Sequence, residues 1–440
     1  MGVIIKNVLA VTMNKKNEIL KCNIITERKM IKKITTSGLN ASTNYRIIDG
    51  SGMICIPALI NGHVHSDVTL AKGLGDGLSL YQQDYDSHVS RKNWFRDELR
   101  GEAGALSRLL LYCEAIKGGT GFICDIPFWP YRTKLLEPII KLRLRGAIAI
   151  DYRTDFLNGK VLEEAELIEK IEWIKSNGAI PVLSGPSEEH YEISLLKKLQ
   201  KIAEKKDCFI HLHLAETKYR VGIIKQKYRA TSVQFLDSIG FLSERLIGSH
   251  CVHLTENDIE LLIKRGVRIV NCPTAEMKIS DGVAPIVNFI DSGYYVGLGT
   301  DGALWNDSSD MIHEMKTLLL VQRVKYGAGR ILPIDALSAG TIWGARTFGI
   351  EKEMGSIEEG KSASIAILNP NKPHVVPIYH GKTSNILQNI ITCMNASDVE
   401  TLLVDGNILM ENKKITLIDE KEIIKKSQEI GSRRFSNLEL

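Results

Sequence analysis

Apolar strand candidates alternate with helical stretches through most of this chain, and that alternation limits its fold more than any other feature. The strand candidates begin with Gly121-Phe122-Ile123-Cys124-Asp125, Ala147-Ile148-Ala149-Ile150, Ile180-Pro181-Val182-Leu183 and Cys208-Phe209-Ile210-His211-Leu212-His213. Leu246-Ile247-Gly248-Ser249-His250, Val267-Arg268-Ile269-Val270 and Tyr295-Val296-Gly297-Leu298 follow. Between them, stretches such as 162–176 and 193–205 carry apolar residues at the three- and four-residue spacing of an amphipathic helix. Repeated βα units imply a parallel sheet, and about eight units over this length favour an α/β fold closed as a (β/α)8 TIM barrel. A doubly wound open sheet is the alternative, but no Gly-rich phosphate fingerprint follows the first strand.

The two ends have a different character. Val3-Ile4-Ile5, Lys21-Cys22-Asn23-Ile24-Ile25 and Lys32-Lys33-Ile34-Thr35 are short β-leaning runs separated by turn-prone residues. Ala363-Ser364-Ile365-Ala366-Ile367-Leu368 and Thr401-Leu402-Leu403-Val404-Asp405-Gly406-Asn407 repeat the pattern, and Asp405-Gly406 between apolar runs signals a hairpin. Residues 1–55 and 356–440 are therefore expected to form one discontinuous small β-sandwich domain, leaving 56–355 as the barrel.

Composition narrows the partners. A net charge of +4 on 440 residues gives no reason to expect nucleic acid, and Lys413-Lys414 reads as a solvated turn. The eight cysteines are scattered, with no Cys-x-x-Cys pair, which points to a reducing cytoplasm rather than a disulfide framework. Met1-Gly2-Val3-Ile4-Ile5-Lys6 reads as a strand start rather than a signal peptide, and no apolar run has the length of a membrane span.

The chemistry gathers at predicted strand ends. In Asn61-Gly62-His63-Val64-His65, histidines at i and i+2 of a strand share one face, so both imidazoles can reach one ion. The run Met53-Ile54-Cys55-Ile56 precedes them, which places the pair at a strand's C-terminal end, where barrel enzymes keep their chemistry. His211-Leu212-His213-Leu214-Ala215-Glu216 repeats the arrangement and adds a carboxylate that could carry a proton between an ion-activated water and a leaving group. Gly297-Leu298-Gly299-Thr300-Asp301-Gly302 ends a strand in an aspartate between small residues, and Gly248-Ser249-His250 ends another in a histidine. Singly, each has a plain structural reading: a core histidine, a helix cap or a turn. Together at one barrel mouth they suit one divalent ion, with zinc the best match to imidazole and carboxylate and Fe2+ or Mn2+ as alternatives.

At these residues the sequence resembles the amidohydrolase superfamily, closest to its metal-dependent aminohydrolase branch of S-adenosylhomocysteine and guanine deaminases and triazine hydrolases. The resemblance also takes in Asn271-Cys272-Pro273 and the closing Gly355-Ser356-Ile357-Glu358-Glu359-Gly360-Lys361, and so covers nearly the whole chain. It implies that His63, His65, His213 and Asp301 hold the metal, with His211 a structural neighbour. It further implies that Glu216 shuttles protons, that His250 polarises the substrate or orients the attacking water, and that Asp301 accepts a proton from that water. No lysine lies near 180–187 to bridge a second ion, so one metal is expected. Departures fall where substrate would be read: Leu80-Tyr81-Gln82-Gln83-Asp84, Pro186-Ser187, Gly146-Ala147-Ile148 and Thr274-Ala275-Glu276. Gln83, Ser187 and Trp305 are the candidate substrate-binding residues, with Asn306 beside them.

The implied activity is deamination of an amino-substituted nitrogen heterocycle (purine, pterin or pyrimidine-like) with release of ammonia, by a homo-oligomer that binds small molecules. Hydrolysis of a cyclic amide, an imidazolone or a substituted triazine-like ring is the alternative from the same machinery. A non-catalytic scaffold is a third reading, and the complete set of ligands and shuttle argues against it.

Overall fold

The computed structural model describes residues 2–37, 45–85, 101–128, 137–153 and 160–436. Eight parallel strands pair in strict chain order: β1 (Leu59–Val64), β2 (Thr120–Asp125), β3 (Arg145–Asp151), β4 (Ile180–Ser184), β5 (Phe209–Leu214), β6 (Leu246–His250), β7 (Arg268–Asn271) and β8 (Gly297–Leu298). Every residue of β1, β2 and β6 is buried, as expected of strands covered on both faces. Helices cover the outside. Glu164–Ser176 buries Leu167, Ile171 and Ile174, and Ile193–Lys206 buries Leu196, Leu199 and Ile202. Each such side chain contributes roughly 1.5–3 kcal/mol on burial.

Side chains and loop backbone join the last strand to the first. Asn61 Nδ2 donates to Thr300 Oγ1 (2.8 Å), Thr300 N donates to Asn61 Oδ1 (3.0 Å), and Asp301 N donates to His63 O (2.9 Å). Gly299 allows this approach, because a Cβ there would lie 2.7 Å from His63 Cβ and 2.8 Å from His63 N. The barrel closes at the residues that carry the candidate ligands.

A second, mixed sheet of nine strands gathers both ends of the chain. Its order is Lys414–Ile415, Asn407–Glu411, Val399–Val404, Ile365–Leu368, Ile54–Pro57, Gly2–Val11, Ile19–Glu27 and Met30–Thr35, with Tyr45–Asp49 also paired to Gly2–Val11. Val399–Val404 and Asn407–Glu411 form an antiparallel hairpin across Asp405-Gly406. Ile5, Val8, Ile24, Cys55, Ile365 and Leu403 belong to a core separate from that of the barrel. The run Met53-Ile54-Cys55-Ile56 therefore belongs to this sheet, and the chain crosses to the barrel at Ala58. The C-terminal segment also holds a helix, Glu420–Phe435, tied to the barrel where Lys117 Nζ meets Glu420 (3.2 Å) and the Lys413 carbonyl (2.8 Å).

Candidate active site

The strand ends bring the four expected ligands into one cluster. Asp301 Oδ1 lies 3.4 Å from His63 Nε2 and 3.3 Å from His65 Nε2, while His213 Nε2 lies 3.3 Å from His65 Nε2. Their neighbours fix which ring nitrogens face inward. His65 Nδ1–H donates to the Ile126 carbonyl (2.6 Å), which leaves the Nε2 lone pair for the cluster. His63 Nδ1 meets Ser249 Oγ (3.1 Å) and His211 Nε2 (3.1 Å), and His211 Nε2 in turn meets Ser249 Oγ (2.5 Å). His211 thus stands behind His63. Burial holds the pKa values of His63, His211 and His213 well below the ordinary histidine value and brings His65 down to about 3. Neutral imidazole is the ligating form. His63 Nε2 is buried and has no hydrogen-bond partner among the described residues. An orphaned acceptor beside two imidazoles and a carboxylate fits a divalent cation.

Next to this cluster a carboxylate faces a further imidazole. Glu216 follows β5, and its Oε1 lies 3.5 Å from His250 Nε2 at the end of β6. On the other side of the ring, His250 Nδ1 lies 3.6 Å from Glu276 Oε1. Glu276 is itself fixed by Asn271 Nδ2 (2.8 Å) and the Cys272 N–H (2.9 Å). Burial pulls the His250 imidazolium down, but the carboxylates of Glu216, Glu276 and Asp301 outweigh it and lift His250 to about 10. His250 and Asp301 both adopt left-handed backbone, with φ of 69° and 62°. Non-glycine residues in that region cluster at functional sites.

A cleft opens beside these groups. His65, His213, Glu216 and Asp301 form part of its lining, and Phe128, Arg153, Ser187 and Trp305 are among the other lining residues. Phe128 stacks on His65 at 4.5 Å, and Trp305 meets the same imidazole edge-on at 5.3 Å. Of the candidate substrate residues, Ser187 and Trp305 line the cleft, whereas Gln83 stands behind Trp305. Gln83 Oε1 accepts the Trp305 Nε1–H (3.1 Å), and its Nε2 donates to the Leu78 carbonyl (3.1 Å). Asn306 Nδ2 donates to the Thr300 carbonyl (2.7 Å) and to Glu314.

Sequence reasoning passes over Phe128, Arg153, Arg220 and the contact of Glu276 with His250. Arg220 alone carries a local signal, since it lies four residues after Glu216, the spacing of a helical ion pair.

Fold and site together define a barrel hydrolase with a candidate metal centre at the C-terminal mouth of its strands. The amidohydrolase family model matches residues 54–409. The chain is 30% identical over 441 residues to a 5-methylthioadenosine/S-adenosylhomocysteine deaminase of Clostridium tetani, covering 99% of this chain and 100% of that one. It is 33% identical to a 5'-deoxyadenosine deaminase of Methanobrevibacter smithii, covering 93% of each. Its fold matches a zinc-bound adenosine deaminase from Xanthomonas campestris with a TM-score of 0.89, at 20% identity over 99% of this chain and 98% of that one. A zinc complex of atrazine chlorohydrolase from Arthrobacter aurescens gives a TM-score of 0.87, at 20% identity over 98% and 100%. The chain belongs to the amidohydrolase family. Among the described residues, no helix is long and apolar enough to cross a membrane.

Proposed function

We propose that this amidohydrolase removes the exocyclic amino group of an adenine-type nucleoside by hydrolysis and releases ammonia. The observation that carries the reading is the juxtaposition of the His63–His65–His213–Asp301 cluster with Glu216 and His250, with His65, His213, Glu216 and Asp301 lining one cleft. The deaminase names of relatives alike over almost the whole chain support the adenine-type ring.

His63, His65, His213 and Asp301 would hold one divalent ion, zinc by preference, which when bound supplies the Lewis acidity that brings the pKa of a water toward neutrality. Asp301 Oδ1, within 3.4 Å of both first-strand imidazoles, accepts a proton from the attacking water. Glu216 carries a proton to the departing amine. His250, held between Glu216 and Glu276, donates toward the charge that develops on the ring. Phe128 and Trp305 wall the cleft beside His65 with planar surfaces suited to a flat heterocycle, and Ser187 offers a hydroxyl at the rim.

In this reading residues 56–355 hold the catalytic unit, although Ile56 and Pro57 still pair in the outer sheet, and 1–55 with 356–440 form the supporting domain. Eight unpaired cysteines support a reducing compartment, the cytoplasm, with the enzyme working there as a homo-oligomer on small molecules rather than nucleic acid. The test is ammonia release from a panel of adenosine, 5'-deoxyadenosine, thioether-substituted adenosines, pterins and aminopyrimidines, with metal content measured on the same protein. Turnover of the adenine nucleosides is expected, and Glu216→Gln should lower it by roughly 100- to 10,000-fold. Inactivity of zinc-loaded enzyme on all amino-heterocycles, together with hydrolysis of a cyclic amide, overturns the reading.

A further inference from the structure

Arg220 lines the cleft from the first turn of the helix Lys218–Tyr228, and its guanidinium is shared among three carboxylates. Nη1 pairs with Glu216 Oε2, Nη2 lies 3.2 Å from Asp84 Oδ2, and Nε lies 3.3 Å from Glu189 Oε2. All four side chains are at least nine-tenths buried. The three acids come from three separate elements. Glu216 follows β5, Asp84 sits in the helix Leu80–Tyr85, and Glu189 lies in the turn Glu188–His190. Leu80 and Ser187, from or beside the latter two elements, line the cleft, while Asp84 and Glu189 are not among its lining residues.

A buried ion cluster is a poor device for stability alone, because apolar residues of similar volume often serve as well or better. It is a good device for fixing direction, because a planar guanidinium binds partners along set vectors. Here one Glu216 oxygen is fixed by Arg220 and the other faces His250 Nε2 at 3.5 Å, so the direction set by Arg220 decides how the second oxygen meets the ring. Among the described residues, the ion pairs of Asp84 and Glu189 with Arg220 link them to Glu216.

We propose that Arg220 is a positioning residue that aims Glu216 and couples that aim to the rim elements Leu80–Tyr85 and Glu188–His190. The inference rests on the deaminase reading above. It makes the substrate-facing rim part of the proton-transfer geometry, so disturbing the rim behind the cleft slows the chemical step while binding stays nearly intact.

The test measures kcat and KM for the adenine nucleoside that the wild-type enzyme turns over best, with melting temperature and zinc content taken on the same preparations. Arg220→Lys keeps the charge and loses the fork. Asp84→Asn and Glu189→Gln each remove one rim partner, and they serve if Arg220→Lys does not fold. A displacement of about 1 Å can slow an enzyme 100-fold, so kcat should fall roughly 100-fold in Arg220→Lys and about 10-fold in each rim variant. KM should stay within about threefold and zinc content should be unchanged. Asp84→Asn should add nothing in the Arg220→Lys background, because both act along one path. Folded, zinc-loaded variants with wild-type kcat overturn the inference, as does a double variant whose loss is the product of the single losses. A wild type inactive on every amino-heterocycle overturns the deaminase reading and this inference together; an active wild type with unmoved variants overturns this inference alone.

Discussion

Replacing Gly299 by alanine tests whether barrel closure and the ligand cluster are one structure. The added Cβ would lie 2.7 Å from His63 Cβ, 2.8 Å from His63 N and 3.0 Å from His63 O, where ordinary contact begins at 3.4 Å. Two of those atoms are backbone, so no flexible side chain can yield. Relief requires β1 and β8 to part by about 0.7 Å (3.4 minus 2.7 Å), and that gap opens between His63 and Asp301, whose facing atoms are 3.4 Å apart. Overpacking of this kind costs about 1–3 kcal/mol. At about 1.4 kcal/mol per factor of ten, zinc affinity should fall roughly 5- to 150-fold. Competition with a chromogenic chelator reads the Kd, and melting of apo and zinc-loaded protein shows how the strain divides between fold and site. Gly222→Ala in the helix Lys218–Tyr228 is the control, because a Cβ there meets nothing within 4 Å. It should gain about 0.5–1 kcal/mol. A Gly299→Ala protein that binds zinc within twofold of wild type and melts at the wild-type temperature refutes the reasoning.

Ser249→Ala removes the hydroxyl between His211 and His63, and zinc affinity should drop about 10- to 100-fold in the same competition assay, as for loss of other groups that orient a metal ligand. Trp305→Phe strands the buried Gln83 carboxamide oxygen at a loss of about 1–3 kcal/mol, and steady-state kinetics should show KM rising roughly 10-fold with kcat within about threefold. Burial raises the Glu314 carboxyl from 4.5 to about 8, although Thr274 and Asn306 donate to it. The native state therefore holds this proton more tightly than the unfolded chain does. The contribution to stability is complete below pH 4.5 and is lost as pH rises through 8. Denaturant melts across that window should show Glu314→Gln declining less steeply than wild type, and parallel curves would reject the assignment.

The barrel was legible because its strands are apolar on both faces and its helices keep three- and four-residue spacing. Where one strand ended and another began was not. Met53-Ile54-Cys55-Ile56 and Leu59-Ile60 read as one apolar run, yet the first pairs in the outer sheet and the second in the barrel. Only long-range partners distinguish them. β8 is shorter than its apolar run, because Asn61 and Thr300 side chains supply the joining bonds there. The helix Glu420–Phe435 sits in an end that reads as β-leaning, although its cap Asp419 and its buried Ile423, Ser427 and Ile430 signal it locally. The histidines and Asp301 were legible because strand geometry gives each a direction. Gln83 was legible only as a polar residue near the site, and its true partners, Trp305 and Leu78, depend on how a loop folds back. The sharing of Arg220 among three carboxylates needs contacts from residues 84, 189 and 216 at once, and only the last is local.

The outer sheet has a consequence for how the protein is made. Ile54–Pro57 pairs with Ile365–Leu368, which sets Ile54 opposite Leu368, and the sheet ends at Lys414–Ile415. During synthesis the N-terminal strands emerge first, but one flank of Ile54–Pro57 has no neighbour until the whole barrel has left the ribosome. For that interval it is an open edge, the kind of template on which nascent chains associate wrongly. The late strands act as a clasp drawn shut over work already done, so a stalled or nicked chain lacking them exposes the seam that the finished enzyme hides.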